Sequence, residues 1–171
     1  MSERGWEAVH VDELDSIPVA GVVWHPVRRR LGIEAFGMNA YTAEAVGKQI
    51  VEEHDESSLG HQEVYVVVRG SVTFTVGGEK LDASAGTIVF IRDPQLKRVA
   101  VAETADALVL AVGNAPGRAY EPSPWEPAFA AAPLLDAGHL REAIAGDGRW
   151  AERARTDPDF DAIRGAPGFP A

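Results

Sequence analysis

The stretch from Glu63 to Gly78 constrains the fold more than any other part of the chain. Glu63-Val-Tyr-Val-Val-Val-Arg69 is followed by Gly70, then Ser71-Val-Thr-Phe-Thr-Val76, then Gly77-Gly78. β-Branched and aromatic residues in short runs broken by glycine read as strand, turn, strand, turn. Gly77-Gly78 is a hairpin signal and not a nucleotide motif. The same texture extends in both directions, with strand candidates at Val19–Trp24, Ile33–Tyr41, Lys48–Glu53, Thr87–Ile91, Arg98–Ala102 and Ala107–Val112. No helical period separates these runs, which points to an all-β sandwich or barrel and away from alternating βαβ units.

The organisation follows from where this texture begins and ends. Residues 1–18 are acidic and mixed, closed by Pro18, and read as an N-terminal arm. Residues 19–113 are the barrel. From residue 114 to 171 the chain reads as a linker with Pro116, Gly117, Pro122 and Pro124, then a broken helical tail that packs on the barrel or on a partner. Ser123-Pro-Trp-Glu126 has the form of a capping box with Pro124 at the first helical position.

Composition excludes several classes of function. The 171 residues carry 16 Lys and Arg against 26 Asp and Glu, a formal net charge of -10. Nucleic-acid binding, which needs a basic face, is not expected. Arg28-Arg29-Arg30 is the local exception and reads as a solvated strand end or turn. With no cysteine, disulfides, thiolate metal sites and cysteine nucleophiles are out. No apolar stretch approaches the ~20 residues of a membrane span, and the first residues hold no apolar signal segment, so a cytoplasmic protein is expected.

Residues 47–101 resemble the cupin family, whose two motifs have the forms G-x5-H-x-H-x3,4-E-x6-G and G-x5-P-x-G-x2-H-x3-N. Glu63 and Gly70 keep the family spacing of six intervening residues. Gly47 and His54 are separated by six residues rather than five, and the second histidine falls on Glu56. Gly86 holds its place in the second motif, while the proline, glycine, histidine and asparagine positions carry Arg92, Pro94, Lys97 and Val101. The run Gly60-His-Gln-Glu-Val-Tyr65, the Phe-Thr-Val hairpin and the ending Ala154-Arg-Thr-Asp-Pro-Asp-Phe160 also resemble a bacterial group of cupin-domain proteins, some with helical repeats after the barrel. The resemblance implies a double-stranded β-helix jelly-roll barrel with a short helical C-terminal extension. It also implies homodimers. It leaves the activity open, because cupins span enzymes, binding proteins and storage proteins.

Alternation along a strand gives an independent argument about the site. His61, Glu63, Tyr65 and Val67 share one face, and His54 and Glu56 share another. The expected pocket comprises His54, Glu56, His61, Glu63, Tyr65 and whichever of Lys97 and Arg98 turns inward. A cation at that last position has no lone pair for a metal, pairs with Glu63 and repels a divalent ion. The favoured reading is therefore a barrel that binds a small polar molecule without a full metal site, and an acidic or polar ligand would suit the cation. The alternative is a metal-dependent oxygenase or isomerase in which His54, His61 and Glu63 hold Fe, Mn, Ni or Zn. A second alternative is an interaction module that docks through the tail. Of the remaining candidates, His10, His25 and His139 are expected in surface or capping roles, and Asn39 in a structural hydrogen bond.

Overall fold

The computed structural model describes residues 5–19, 21–123 and 126. Among the described residues, ten strands form two antiparallel sheets. In chain order they are β1 (Ile17–Val19), β2 (Val22–His25), β3 (Gly37–Thr42), β4 (Gln49–His54), β5 (Gln62–Arg69), β6 (Ser71–Val76), β7 (Glu79–Ser84), β8 (Ile88–Ile91), β9 (Arg98–Ala102) and β10 (Leu108–Asn114). The larger sheet runs β1-β2-β3-β10-β5-β8 and the smaller β4-β9-β6-β7. The barrel unit ends at Glu121. No helix among the described residues is long and apolar enough to cross a membrane.

The core lies between the sheets and follows the period of two. Tyr65 and Val67 on β5, Val89 and Ile91 on β8, Phe74 on β6 and Ala100 on β9 all point into it and are buried. A smaller cluster lies outside the larger sheet, where Leu14 from the arm meets Val27, Ala40 and Leu108. The arm thus covers apolar surface that a sheet with one solvated face would leave wet.

Several boundaries differ from the sequence reading. The run Val19–Trp24 is not one strand. It divides at a turn with Gly21 at φ 81°, and β1 begins inside the expected arm. Arg28-Arg29-Arg30 lies on the short helix α1 (Val27–Leu31), closed by Gly32 in the left-handed conformation, and not at a strand end. Strand β7 has no counterpart in the expected set, because Glu79-Lys-Leu-Asp-Ala-Ser84 is almost wholly exposed and lacks a β-branched run. Of the capping box, Glu126 is helical and its N–H donates to the Ser123 carbonyl at 3.0 Å. The rest of the expected helical tail, with His139, lies outside the described residues.

Candidate functional site

The site is built where β4 ends and β5 begins. Between them, Asp55 accepts from the Ser57 N–H at 3.0 Å, the Glu56 N–H donates to the Pro94 carbonyl at 2.8 Å, and the Gly60 N–H donates to the Glu56 carbonyl at 2.7 Å. These bonds fix a tight loop that ends on Gly60 at φ 72°. It presents Glu56 next to His54 and returns the chain at His61. From there β5 carries Glu63 and Tyr65 inward on alternate positions.

One carboxylate oxygen organises the polar cluster. Glu63 Oε2 accepts from the Tyr65 hydroxyl at 2.6 Å and from Arg98 Nε at 3.0 Å, with Arg98 Nη2 at 2.8 Å. His54 Nε2 stands 3.6 Å from the same oxygen. Arg98 is 0% exposed, and its Nη1 donates to the Leu96 carbonyl at 2.9 Å. The guanidinium is therefore enclosed and fixed at both ends. Glu56 lies beside the two histidines, 4.0 Å from His54 Nε2 and 3.4 Å from His61 Nδ1.

The electrostatics separate the two carboxyls. Burial pushes Glu56 up to about 7, and the Glu63 charge pushes in the same direction. Burial also opposes ionisation of Glu63, but the nearby His54, the Tyr65 hydrogen bond and the Arg98 charge outweigh it and hold Glu63 below the ordinary range. Burial works against the His54 imidazolium too, yet Glu63 and the Glu52 carbonyl raise its pKa overall. His61 is lowered by burial. Burial and the Glu63 charge drive the Tyr65 phenol well above its usual value, so it stays a donor.

The structure brings His54, Glu56, His61, Glu63, Tyr65 and Arg98 together. Lys97, the other cation expected in the pocket, points outward. It is 70% exposed and pairs with Glu53 at 3.5 Å. The reason is alternation along β9, which sends Arg98, Ala100 and Ala102 inward and leaves Lys97 on the far side of the turn. The three groups whose ligand atoms lie within 4.8 Å of one another are His54, Glu56 and Glu63, a set in which Glu56 takes the place expected for His61.

One residue, Tyr120, was not legible as a neighbour of this site. Tyr120 arrives from the segment after β10, and its ring stacks on His61 with centroids 5.6 Å apart and planes 28° from parallel. A Cβ on Gly37 would lie 2.8 Å from the Tyr120 hydroxyl, so the glycine makes the approach possible. Asn39, expected to make a structural hydrogen bond, has its Oδ1 buried with no partner among the described residues. Of the other histidines, His10 does cap a turn, the 3-10 turn Val11–Glu13. His25 does not: it is buried and bonds Asp15 and Thr42.

No protein-family model matches the sequence, and none of the curated proteins matches it. Solved structures do match the fold. A predicted oxalate decarboxylase from Thermotoga maritima is 16% identical with a TM-score of 0.53, over 64% of this chain and 99% of that one. A sugar phosphate isomerase from a cupin superfamily, from Silicibacter pomeroyi, is 15% identical with a TM-score of 0.53, over 63% and 75%. KdgF from Halomonas sp. is 22% identical with a TM-score of 0.50, over 60% and 88%. The described chain has the cupin fold.

Proposed function

We propose that this cupin barrel binds a small polar molecule at the His54–Glu56–His61–Glu63–Tyr65 cluster without a divalent metal. The observation that carries this reading is the buried Arg98–Glu63 pair. His54, Glu56 and Glu63 are close enough together to surround an ion. The oxygen that Glu63 turns towards His54 already accepts from Tyr65 and Arg98, however. A metal on that oxygen would have to displace those donors, and on either Glu63 oxygen it would sit beside a fixed guanidinium. Arg98 supplies the positive charge that Glu63 needs, as a cation otherwise would. An acidic ligand no longer follows from that arginine, because Glu63 neutralises it and no solvent reaches it.

Metal analysis of protein purified without chelator tests the proposal. The expected result is no stoichiometric iron, manganese, nickel or zinc, and no rise in Tm when these ions are added, since an ion that bound the native state would stabilise it by mass action. Replacing the arginine with a neutral imidazole in Arg98→His removes the repulsion and adds a ligand. That variant is expected to acquire zinc affinity that the parent lacks. Stoichiometric metal in the parent protein would sink the reading.

A further inference from the structure

The interior face between β3 and β5 is lined by unusually small residues. In register across the larger sheet, Gly37 faces Gly113 and Gly113 faces Glu63, while in the next row Asn39 faces Ala111 and Ala111 faces Tyr65. Asn39, Ala111 and Gly113 are all partly exposed to solvent, and register with the buried Tyr65 puts Ala111 and Asn39 on the inward face. A Cβ on Gly113 would lie 3.1 Å from Glu63 Cγ and 3.8 Å from Glu63 Oε1. The missing side chain therefore leaves room beside Oε1 above β10.

The donors and acceptors around this floor are unequally satisfied. Tyr65 Oη, Arg98 Nε and Arg98 Nη1 each have an acceptor. His54 Nδ1 donates to the Glu52 carbonyl at 2.8 Å. Arg98 Nη2 is enclosed against Glu63. On the acceptor side, every described contact to Glu63 falls on Oε2, leaving Oε1 without a donor among the described residues. Asn39 Oδ1 is buried and likewise lacks one. A buried acceptor left unpaired is costly, and a ligand donor would satisfy it.

We infer that the barrel takes a ligand that presents hydrogen-bond donors and carries no negative charge, held between the Asn39 amide oxygen and Glu63 Oε1 above the Gly113–Ala111 floor. This rests on the metal-free reading of the same site. Hydroxyl-rich and amine-bearing molecules share the required chemistry. A carboxylate or phosphate would bring a second negative charge and further acceptors beside the Glu63 carboxylate and the unpaired Asn39 Oδ1. Neighbouring strands lie about 4.8 Å apart, so Asn39 and Glu63, two strands from each other, define a gap that a small ligand bridges once both side chains reach towards it.

The test is titration of the full chain followed by NMR through the Asn39 side-chain NH2 signal, with myo-inositol and glucosamine as donor-bearing probes and succinate and glucose 6-phosphate as anionic ones. Asn39→Leu removes the acceptor at similar volume, and Asn39→Asp keeps it. At least one donor-bearing probe is expected to shift the Asn39 signal and to bind Asn39→Leu about tenfold more weakly. Asn39→Asp is expected to retain binding and to favour glucosamine over myo-inositol more than the parent does. Silence from both donor-bearing probes, binding of the anions in their place, or equal affinity in Asn39→Leu overturns the inference. A parallel titration with zinc chloride alone separates the two readings. Zinc shifting His54 signals would overturn the metal-free site, whereas anion binding in zinc-free protein would overturn only the ligand class.

Discussion

Glu56 stands where the resembled motif has its second histidine, and its environment makes it a carboxyl that resists ionisation. Glu63, Asp55, His54 and Arg98 set its field, and His61 touches it. Its folded pKa is raised from 4.5 to about 7, so the neutral form fits the fold and the charged form strains it. The stability it contributes is full below pH 4.5 and is lost as pH rises through 7. A shift of this size corresponds to up to about 3 kcal/mol. Glu56→Gln keeps the shape and removes the charge. In denaturant titrations its advantage over the parent is expected to grow by about 2–3 kcal/mol between pH 4.5 and pH 8. A difference that stays flat over that range would mean Glu56 ionises at its ordinary value. The sequence alone placed Glu56 in the pocket, and it put His61, Glu63 and Tyr65 on one face by alternation. It left Lys97 and Arg98 undecided because alternation needs an anchor. The preceding turn hides where β9 begins, and only the three-dimensional register supplies that point. Tyr120 was out of reach for a different reason: nothing in a Pro- and Gly-bearing linker indicates which distant histidine its ring will meet.

At the level of the elements, two of the motif glycines, Gly70 and Gly86, do different work. Gly70 joins β5 to β6 at φ 65°, and a Cβ there would lie 2.1 Å from Thr104 Oγ1 and 2.9–3.0 Å from the Ala107 backbone. Thr104 cannot simply swing away, since its hydroxyl oxygen accepts from the Ser71 N–H at 3.0 Å. Gly86 has φ 90° with nothing within 4 Å of the missing Cβ. Gly86→Ala should therefore pay only for the left-handed backbone, about 1–2 kcal/mol. Gly70→Ala adds a collision with main chain and should cost about 3 kcal/mol or more. Equilibrium unfolding of the two variants checks the order, and equal losses would remove the steric explanation for Gly70. Strong β-branched runs made β5 and β6 legible from sequence. Strand β7 was hidden because an edge strand facing water carries little apolar pattern. The β1–β2 turn was hidden inside a valine-rich run, where a single glycine reads equally well as a bulge.

For the molecule as a whole, the barrel class was legible because many short strands without intervening helices admit few architectures. The way the N-terminal arm is fastened was not, since it depends on a histidine with no local signal. His25 on β2 is buried, its Nδ1 donating to the Asp15 carbonyl at 3.1 Å and its Nε2 accepting from the Thr42 hydroxyl at 3.0 Å. It thus ties the arm through β2 to β3. Burial holds its pKa below 6.5, against the pull of the Asp15 carbonyl and Asp12, with Arg69 acting in the same direction as burial. A histidine depressed in the fold is protonated first in the unfolded chain. Its contribution is therefore present above pH 6.5 and is lost as pH falls towards the folded value, with a slope of at most about 1.4 kcal/mol per pH unit. His25→Gln keeps a donor and an acceptor but does not titrate. It is expected to be less stable than the parent by about 1–2 kcal/mol at pH 7.5. The gap should narrow below pH 6.5, because the parent alone loses stability there. Glu56 titrates over part of the same window, but it is present in both proteins and cancels in the difference. Amide exchange in residues 15–25 of the parent should accelerate over the same range if the loss is local to the arm. A gap that stays constant from pH 7.5 to pH 5 would show that His25 holds the arm by packing alone.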